Sequence, residues 1–336
     1  MRVTSFMIFN QLIRGLRRQY STSADLQQQL ATGKRINKPS DDVAGTMRSL
    51  DYRVSINEYG QYRRNIDEGS VRLRVTDTVL AAVDKTLSDI RSLMALGGSG
   101  SQDPVDRNRY AQHAAQLRDQ LADFSAETYQ NRYLFSGFRT DVPPYTAGPA
   151  YAYQGDNGVM NVSIDRTEAV AVNVTGSQVF SYSLAAPEVK QLGSGEIVHY
   201  TPGAGTAVSV EIRASDDVTV LDTFTFSNVM QMTDLLRGAF STNNTARIEA
   251  LRDPFNRIST QVRTTQAEVG MRLSRMQDQS ASLQSVTVAL QNARSGVEDA
   301  DPLETAAGLK MLDATLQSLH ESASRVLSQS LLDFLQ

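Results

Sequence analysis

Apolar residues in this chain recur with the periods of long packed helices at both ends and with a strand-like pattern in the middle. Tyr59, Ile66, Leu73, Leu80, Leu87 and Met94 return at every seventh position, and Tyr62, Gly69, Thr76, Val83 and Ile90 fill the alternate seam positions. A heptad pattern sustained this long predicts one helix lying along another. Pro39-Ser40-Asp41-Asp42 precedes it; Ser40 or Asp41 can cap, and the second acid suits the positive end of the helix. Such a helix is roughly 80 Å long at 1.5 Å per residue. Gly97-Gly98-Ser99-Gly100-Ser101 breaks it, and Asp103-Pro104 opens the next helix, with Tyr110, Ala114, Leu117, Leu121 and Phe124 on one face. The short loop between them predicts an antiparallel helical hairpin. Helix returns from Thr245 to Arg252, and Asp253-Pro254 kinks or restarts it. Phe255, Ile258, Val262, Thr265, Val269, Met276, Leu283, Val286 and Leu290 then keep a heptad seam.

The two chain ends carry seams of their own. Phe9, Leu12, Leu16, Gln19, Ser23, Leu26 and Leu30 step by three and four, with two polar gaps. Gly33 is placed to stop this helix, and Lys34 and Arg35 suit the negative end of its dipole. Asp301-Pro302 opens the closing helix, whose seam is Leu309, Leu312, Leu316, Leu319, Ala323 and Val326. The chain finishes Leu327, Leu331, Leu332, Phe334, Leu335, which is more apolar than a free end should be. The first segment is basic and the last acidic, so the ends complement each other, although single surface ion pairs contribute little. Ordering a residue costs about 1–2 kcal/mol of backbone entropy, against about 1.5–3 kcal/mol for burying a large aliphatic side chain. With about two seam residues in seven, a lone two-helix pair comes out near zero or unfavourable. The expectation is that roughly the first 35 and last 33 residues are mobile in the monomer and become helical on assembly. Intramolecular packing is the plain alternative for each of these seam positions.

After Phe138 the pattern changes. Pro143-Pro144, Gly148-Pro149, Gly155-Asp156-Asn157-Gly158 and Pro202-Gly203-Ala204-Gly205 are turn signals. Between them lie β-rich runs at Asn161 to Asp165, Ala169 to Val174, Ala207 to Arg213 and Val218 to Phe226, and Asp156-Asn157-Gly158 reads as a hairpin tip. One helix is embedded near Ser227 to Phe240, with Val229, Met232, Leu235, Leu236 and Phe240 inward. The fold class is therefore α+β and multidomain: a long antiparallel helical bundle or coiled coil formed by both chain ends, with an inserted mainly-β domain. The expected division is 1–39 with 301–336 as terminal coiled-coil helices, 40–139 with 243–300 as a helical rod, and 140–242 as the inserted domain.

Composition narrows the chemistry. The 336 residues include no Cys, which excludes disulfides, thiolate metal sites and a cysteine nucleophile. The net charge of -4 makes no case for nucleic acid. No apolar run approaches the ~20 residues of a membrane span, and Asn10, Gln11 and Arg14 interrupt anything resembling a signal-peptide centre. His113, His199 and His320 share no ligand spacing. Asp41-Asp42 and Asp299-x-Asp301 sit at helix starts, where capping explains them, and Asp216-Asp217 is the remaining close pair. Gly203-Ala204-Gly205 lacks the third glycine of a dinucleotide loop. The Arg14, Arg17, Arg18 cluster suits phosphate or anionic lipid, but an acidic partner helix explains it with fewer assumptions. The expectation is no catalytic residue, no metal and no cofactor. A secreted enzyme or adhesin is the competing class, and it requires a polar groove within 140–242.

Several stretches carry a family resemblance. Leu30-Ala31-Thr32-Gly33-Lys34-Arg35-Ile36-Asn37-Lys38-Pro39-Ser40-Asp41-Asp42-Val43-Ala44-Gly45, Glu268-Val269-Gly270-Met271-Arg272-Leu273 and the leucine-rich end resemble the bacterial flagellin superfamily. Asn131-Arg132-Tyr133-Leu134-Phe135-Ser136-Gly137-Phe138, Tyr153-Gln154-Gly155-Asp156 and Leu331-Leu332-Asp333-Phe334-Leu335 are similar to its hook–filament junction branch. The resemblance implies terminal helices forming the inner tube of an axial filament, a surrounding rod layer and an outward β domain. It implies export by the flagellar type III apparatus without a cleaved signal, and an extracellular location on the flagellum. The implied partners are copies of itself, the other hook-associated junction protein, flagellin, and an export chaperone on the C-terminal helix. The implied assembly and chaperone residues are Leu309, Leu312, Leu316, Leu319, Val326, Leu331 and Leu332, with Leu12, Leu16, Leu26 and Leu30 opposite. A filament-forming flagellin is the alternative within the same superfamily.

Overall fold

The computed structural model describes residues 2–98, 103–146, 148 and 151–335, and the side chains of 2–6, 8, 9 and 325–335 fall outside that description. The chain divides into two compact units: Met1–Gln61 with Ser282–Gln336, and Tyr62–Ala281. The elements run in the order α1 (Arg2–Thr32), α2 (Val43–Gly97), α3 (Pro104–Ser125), β1 (Thr128–Tyr129), β2 (Arg132–Tyr133), β3 (Asn161–Ser163), β4 (Ala169–Ala171), α4 (Gly176–Val179), β5 (Glu188–Gln191), β6 (Ile197–Pro202), β7 (Val208–Arg213), β8 (Val220–Phe226), α5 (Val229–Thr242), α6 (Thr245–Glu298) and α7 (Pro302–Leu335).

In the unit Tyr62–Ala281 the heptad positions become a core. Ile66, Leu73, Leu80, Val83, Leu87, Ile90 and Met94 of α2 are buried, as are Phe255, Ile258, Val262, Val269 and Met276 of α6. The two helices run antiparallel: Ser70 meets Met276 near one end, and Ser259 donates to Asp84 at 2.9 Å further along. Pro104 opens α3, although Asp103 makes no side-chain cap bond. The apolar face of α3 (Ala114, Leu117, Leu121) packs along α5. There Tyr110 meets Phe240 with ring centroids 5.9 Å apart, and Arg118 pairs with Asp234 at 2.6 Å. Asn228 caps α5 by accepting from the Gln231 amide, as its side-chain type favours.

Three antiparallel sheets occur among the described residues: β1–β2, β3–β4 and the meander β5–β6–β7–β8. The meander buries one face through Val198, Tyr200, Val208, Val210, Ile212, Phe224 and Phe226. Strand β5 has no apolar rhythm to announce it. Its inward positions are Glu188 and Lys190, which pair with Arg257 and Asp253 of α6. Strand β6 was hidden by its His199, Thr201 and Pro202.

Three local expectations are corrected. Helix α6 runs through Asp253-Pro254 without a restart. Proline leaves the Ala250 carbonyl without its helical donor, and the Tyr200 hydroxyl donates to that carbonyl instead, at 2.6 Å. Asp253 faces Lys190 and Arg257 rather than capping. Asp156-Asn157-Gly158 joins no pair of strands. The Asp156 carboxylate accepts from the Phe138 and Gly158 amides, both at 2.8 Å, and so closes a loop. Finally, α2 is capped by Asp42, which accepts from the Gly45 amide at 2.8 Å, and not by Ser40 or Asp41. Asp41 instead accepts from Asn37 and Lys38 and folds the connector.

Candidate assembly surface

Within the unit Met1–Gln61 with Ser282–Gln336, the ends meet at a polar knot. Helix α1 stops at Gly33, whose φ of 69° is open to glycine at little cost. The Gly33 carbonyl accepts from the Ala300 amide at 3.0 Å, and the Arg35 amide donates to the Glu298 carbonyl at 2.8 Å. The Arg35 guanidinium donates to the Val297 carbonyl at 2.7 Å. The expected helix-end cation is therefore present, but it serves the last turn of α6 and not that of α1. Asp301 accepts from the Leu303 and Glu304 amides and caps α7 as expected.

Glu298 is the centre of this knot, and nothing in its sequence context marks it. Its side chain is 5% exposed and bonds to Lys34, Arg53 and the Ser49 hydroxyl, the last at 2.7 Å. Burial alone pushes its pKa up, but the bonds from Lys34, Ser49 and Arg53 outweigh this and hold it down at about 2. The group joins the connector after α1, the start of α2 and the end of α6.

From the knot, α1 and α7 run antiparallel as a pair. The Tyr20 hydroxyl lies 3.0 Å from the His320 ring, and Leu26 packs against the bare backbone of Gly308. The seam residues are brought together, yet incompletely covered. Leu12, Leu16, Leu26, Leu309, Leu312, Leu316 and Leu319 are half-buried. Leu30 is 45% exposed. Among the described side chains of this pair, the fully buried ones are the small Ser23 and Thr305. Val326, Leu331 and Leu332 lie outside the described side chains.

Two further apolar stripes face away from these contacts. On α7, Leu303 and Met311 are 83% and 74% exposed, and Ala307 and Ala314 share their face, roughly opposite the seam. On α2, Val43, Met47, Leu50 and Val54 follow i, i+4, i+7, i+11 spacing and are all exposed, while Gly45 and Ser49 on the other side are buried. This second stripe is a short heptad fragment, less conspicuous in the sequence than the stronger seam that follows it. The late seam position Val286 is also exposed, and Leu290 is half-buried; Tyr59 and Tyr62 of α2 are likewise only half-buried.

Elsewhere, in the unit Tyr62–Ala281, two motifs singled out separately prove to be one structure. The Tyr153 hydroxyl lies 3.0 Å from the Phe135 carbonyl and 2.9 Å from that of Asp156. Gly137, at φ 68°, passes so close to Asp156 that a Cβ would collide with it. The Asn131–Phe138 and Tyr153–Asp156 stretches thus latch one another. Among the described residues, no group of three or more His, Asp or Glu is placed to hold a metal, and no helix is long and apolar enough to cross a membrane.

Known proteins carry the same organisation. Residues 3–140 match the bacterial flagellin N-terminal helical region, and residues 255–335 match the bacterial flagellin C-terminal helical region. Flagellar hook-associated protein 3 of Salmonella typhimurium is 25% identical over 191 residues, which is 56% of this chain and 60% of that protein. The flagellin of Listeria innocua is 26% identical over 174 residues, 50% of this chain and 60% of that protein. In three dimensions, a flagellar hook-associated protein from Vibrio parahaemolyticus superposes with a TM-score of 0.61 at 18% identity, covering 77% of this chain and 100% of that one. With both helical regions matched and the fold shared, this chain belongs to the bacterial flagellin superfamily.

Proposed function

We propose that this chain is a structural subunit of the bacterial flagellum that works at the hook–filament junction and performs no catalysis. The observation that carries the reading is the two-faced character of α7. One apolar face lies on α1, and the opposite face, with Leu303 and Met311, has no partner among the described residues. A helix that is apolar on both sides needs to be sandwiched, and neighbouring copies supply the second side. The exposed Val43, Met47, Leu50, Val54 stripe on α2 is a second apolar face of this kind, and the Salmonella relative is named a flagellar hook-associated protein.

On this reading the terminal helices form the inner layer of a short tube, the rod surrounds it, and 140–242 faces outward. The other hook-associated junction protein lies on one side and flagellin on the other. The chain leaves the cell through the flagellar type III apparatus with no cleaved signal. Before export, a chaperone covers α7 through Leu309, Leu312, Leu316, Leu319, Val326, Leu331 and Leu332.

Deleting the gene tests this. Cells are expected to keep hooks, lose filaments and release flagellin into the medium, as seen by electron microscopy and immunoblotting. Normal filaments on those cells overturn the assignment. If the chain instead makes up the bulk of sheared wild-type filaments, it is a filament flagellin.

A further inference from the structure

Proline at position 254 removes a hydrogen bond from the middle of a long helix, and a strand returns it. The carbonyl that residue 254 would engage belongs to Ala250. Tyr200 projects from the buried face of β6, is 3% exposed, and donates its hydroxyl to that carbonyl at 2.6 Å. Ala250 is itself only 1% exposed, so in the docked state this carbonyl is shielded from solvent. Further contacts on the same turns of α6 reach the strands on either side. Arg257, one turn on, forks onto Glu188 of β5. Arg247, one turn before, donates to Asp222 of β8 at 2.7 Å. The vacancy therefore lies at the centre of the sheet's footprint on the helix, with an ion pair to each edge strand flanking it.

We propose that Pro254 is a docking notch, and that Tyr200 is the positioning residue that seats the β5–β8 sheet in it. The bonding of α6 is complete only when the sheet is docked. A helix without proline keeps all its bonds whether or not the sheet is present. With the notch, lifting the sheet leaves the Ala250 carbonyl with no donor from the protein, so the sheet and the first turns of α6 hold or open together. The sheet is thereby fixed in one orientation on the helix instead of swinging on its flanking loops.

A double-mutant cycle on the full chain decides this, read by native-state amide hydrogen exchange of β6, β7 and residues 248–258. Tyr200→Phe deletes only the hydroxyl, and Pro254→Ala returns an amide to the Ala250 carbonyl. In the Pro254 background, Y200F is expected to speed exchange of the strand amides by about tenfold or more, and to separate their opening from that of the helix. In the P254A background, the same substitution is expected to change exchange by less than about threefold. An equal effect of Y200F in both backgrounds overturns the proposal. If Y200F alone fails to fold, the Y200F/P254A protein is expected to fold; failure of both also overturns it.

Discussion

The same heptad rhythm is finished in one unit of this protein and unfinished in the other. In Tyr62–Ala281, Leu73, Leu80, Val83 and Leu87 are sealed from solvent. The α1–α7 pair uses leucines at the same spacing, and each described one remains partly exposed. Seam quality alone does not account for the difference. What differs is how many faces of each helix are apolar and how many are covered. In the first case the exposed apolar residues of the long helices, Val71, Leu96 and Met271, are scattered, whereas in the second Leu303 with Met311, and Met47 with Leu50, line up in stripes. Burial is completed within the chain in one unit and left incomplete in the other; on the function proposed above, neighbouring copies complete it.

Truncation at matched seam positions sharpens this contrast most strongly. Leu80→Ala is expected to cost about 3 kcal/mol in urea unfolding, because a fully buried leucine leaves a cavity. Leu312→Ala is expected to cost under about 1 kcal/mol in the dilute monomer, yet to abolish polymerisation measured by sedimentation. Equal costs at the two positions break the comparison.

The Glu298 knot gives the next largest effect. Its pKa is lowered from 4.5 to about 2, so its contribution is fully present above pH 4.5 and is lost as pH falls through about 2. That contribution is worth about 2 kcal/mol once discounted for the half-exposed Lys34 and Arg53. Glu298→Gln is expected to lower stability at pH 7 by a similar amount and to flatten the decline between pH 4.5 and 2, followed by circular dichroism. An unchanged acid profile in the variant removes Glu298 from the account.

The smallest effect on the monomer is expected at the α2 stripe. Met47→Ser with Leu50→Ser should leave the melting temperature within about 2 °C, since both side chains are exposed, while weakening assembly and incorporation into flagella. A large loss of monomer stability would mean that the stripe is covered within the chain.

The long helices were legible because a heptad is a local property, written in Ile66 through Met94 and again in Phe255 through Leu283. Strand β5 was not, because its inward residues are charges that make sense only beside Arg257 and Asp253. The polar knot was equally hidden: Lys34, Ser49 and Glu298 are separated by up to 264 residues, and no local pattern connects them. Pro254 misled for the same reason. Local grammar says that an Asp-Pro pair starts a helix, as it does at 103 and 301, and a hydroxyl from a distant strand reversed that rule.

Periodicity, capping types and turn residues by themselves determined that this protein is a pair of helical ends around a β-rich insertion, since each depends only on neighbours within a few positions. Which carboxylate is buried, which proline is tolerated and which apolar stripe stays uncovered were decided by the tertiary structure alone. Those properties depend on what the fold brings alongside, and burial and hydrogen bonding are settled there.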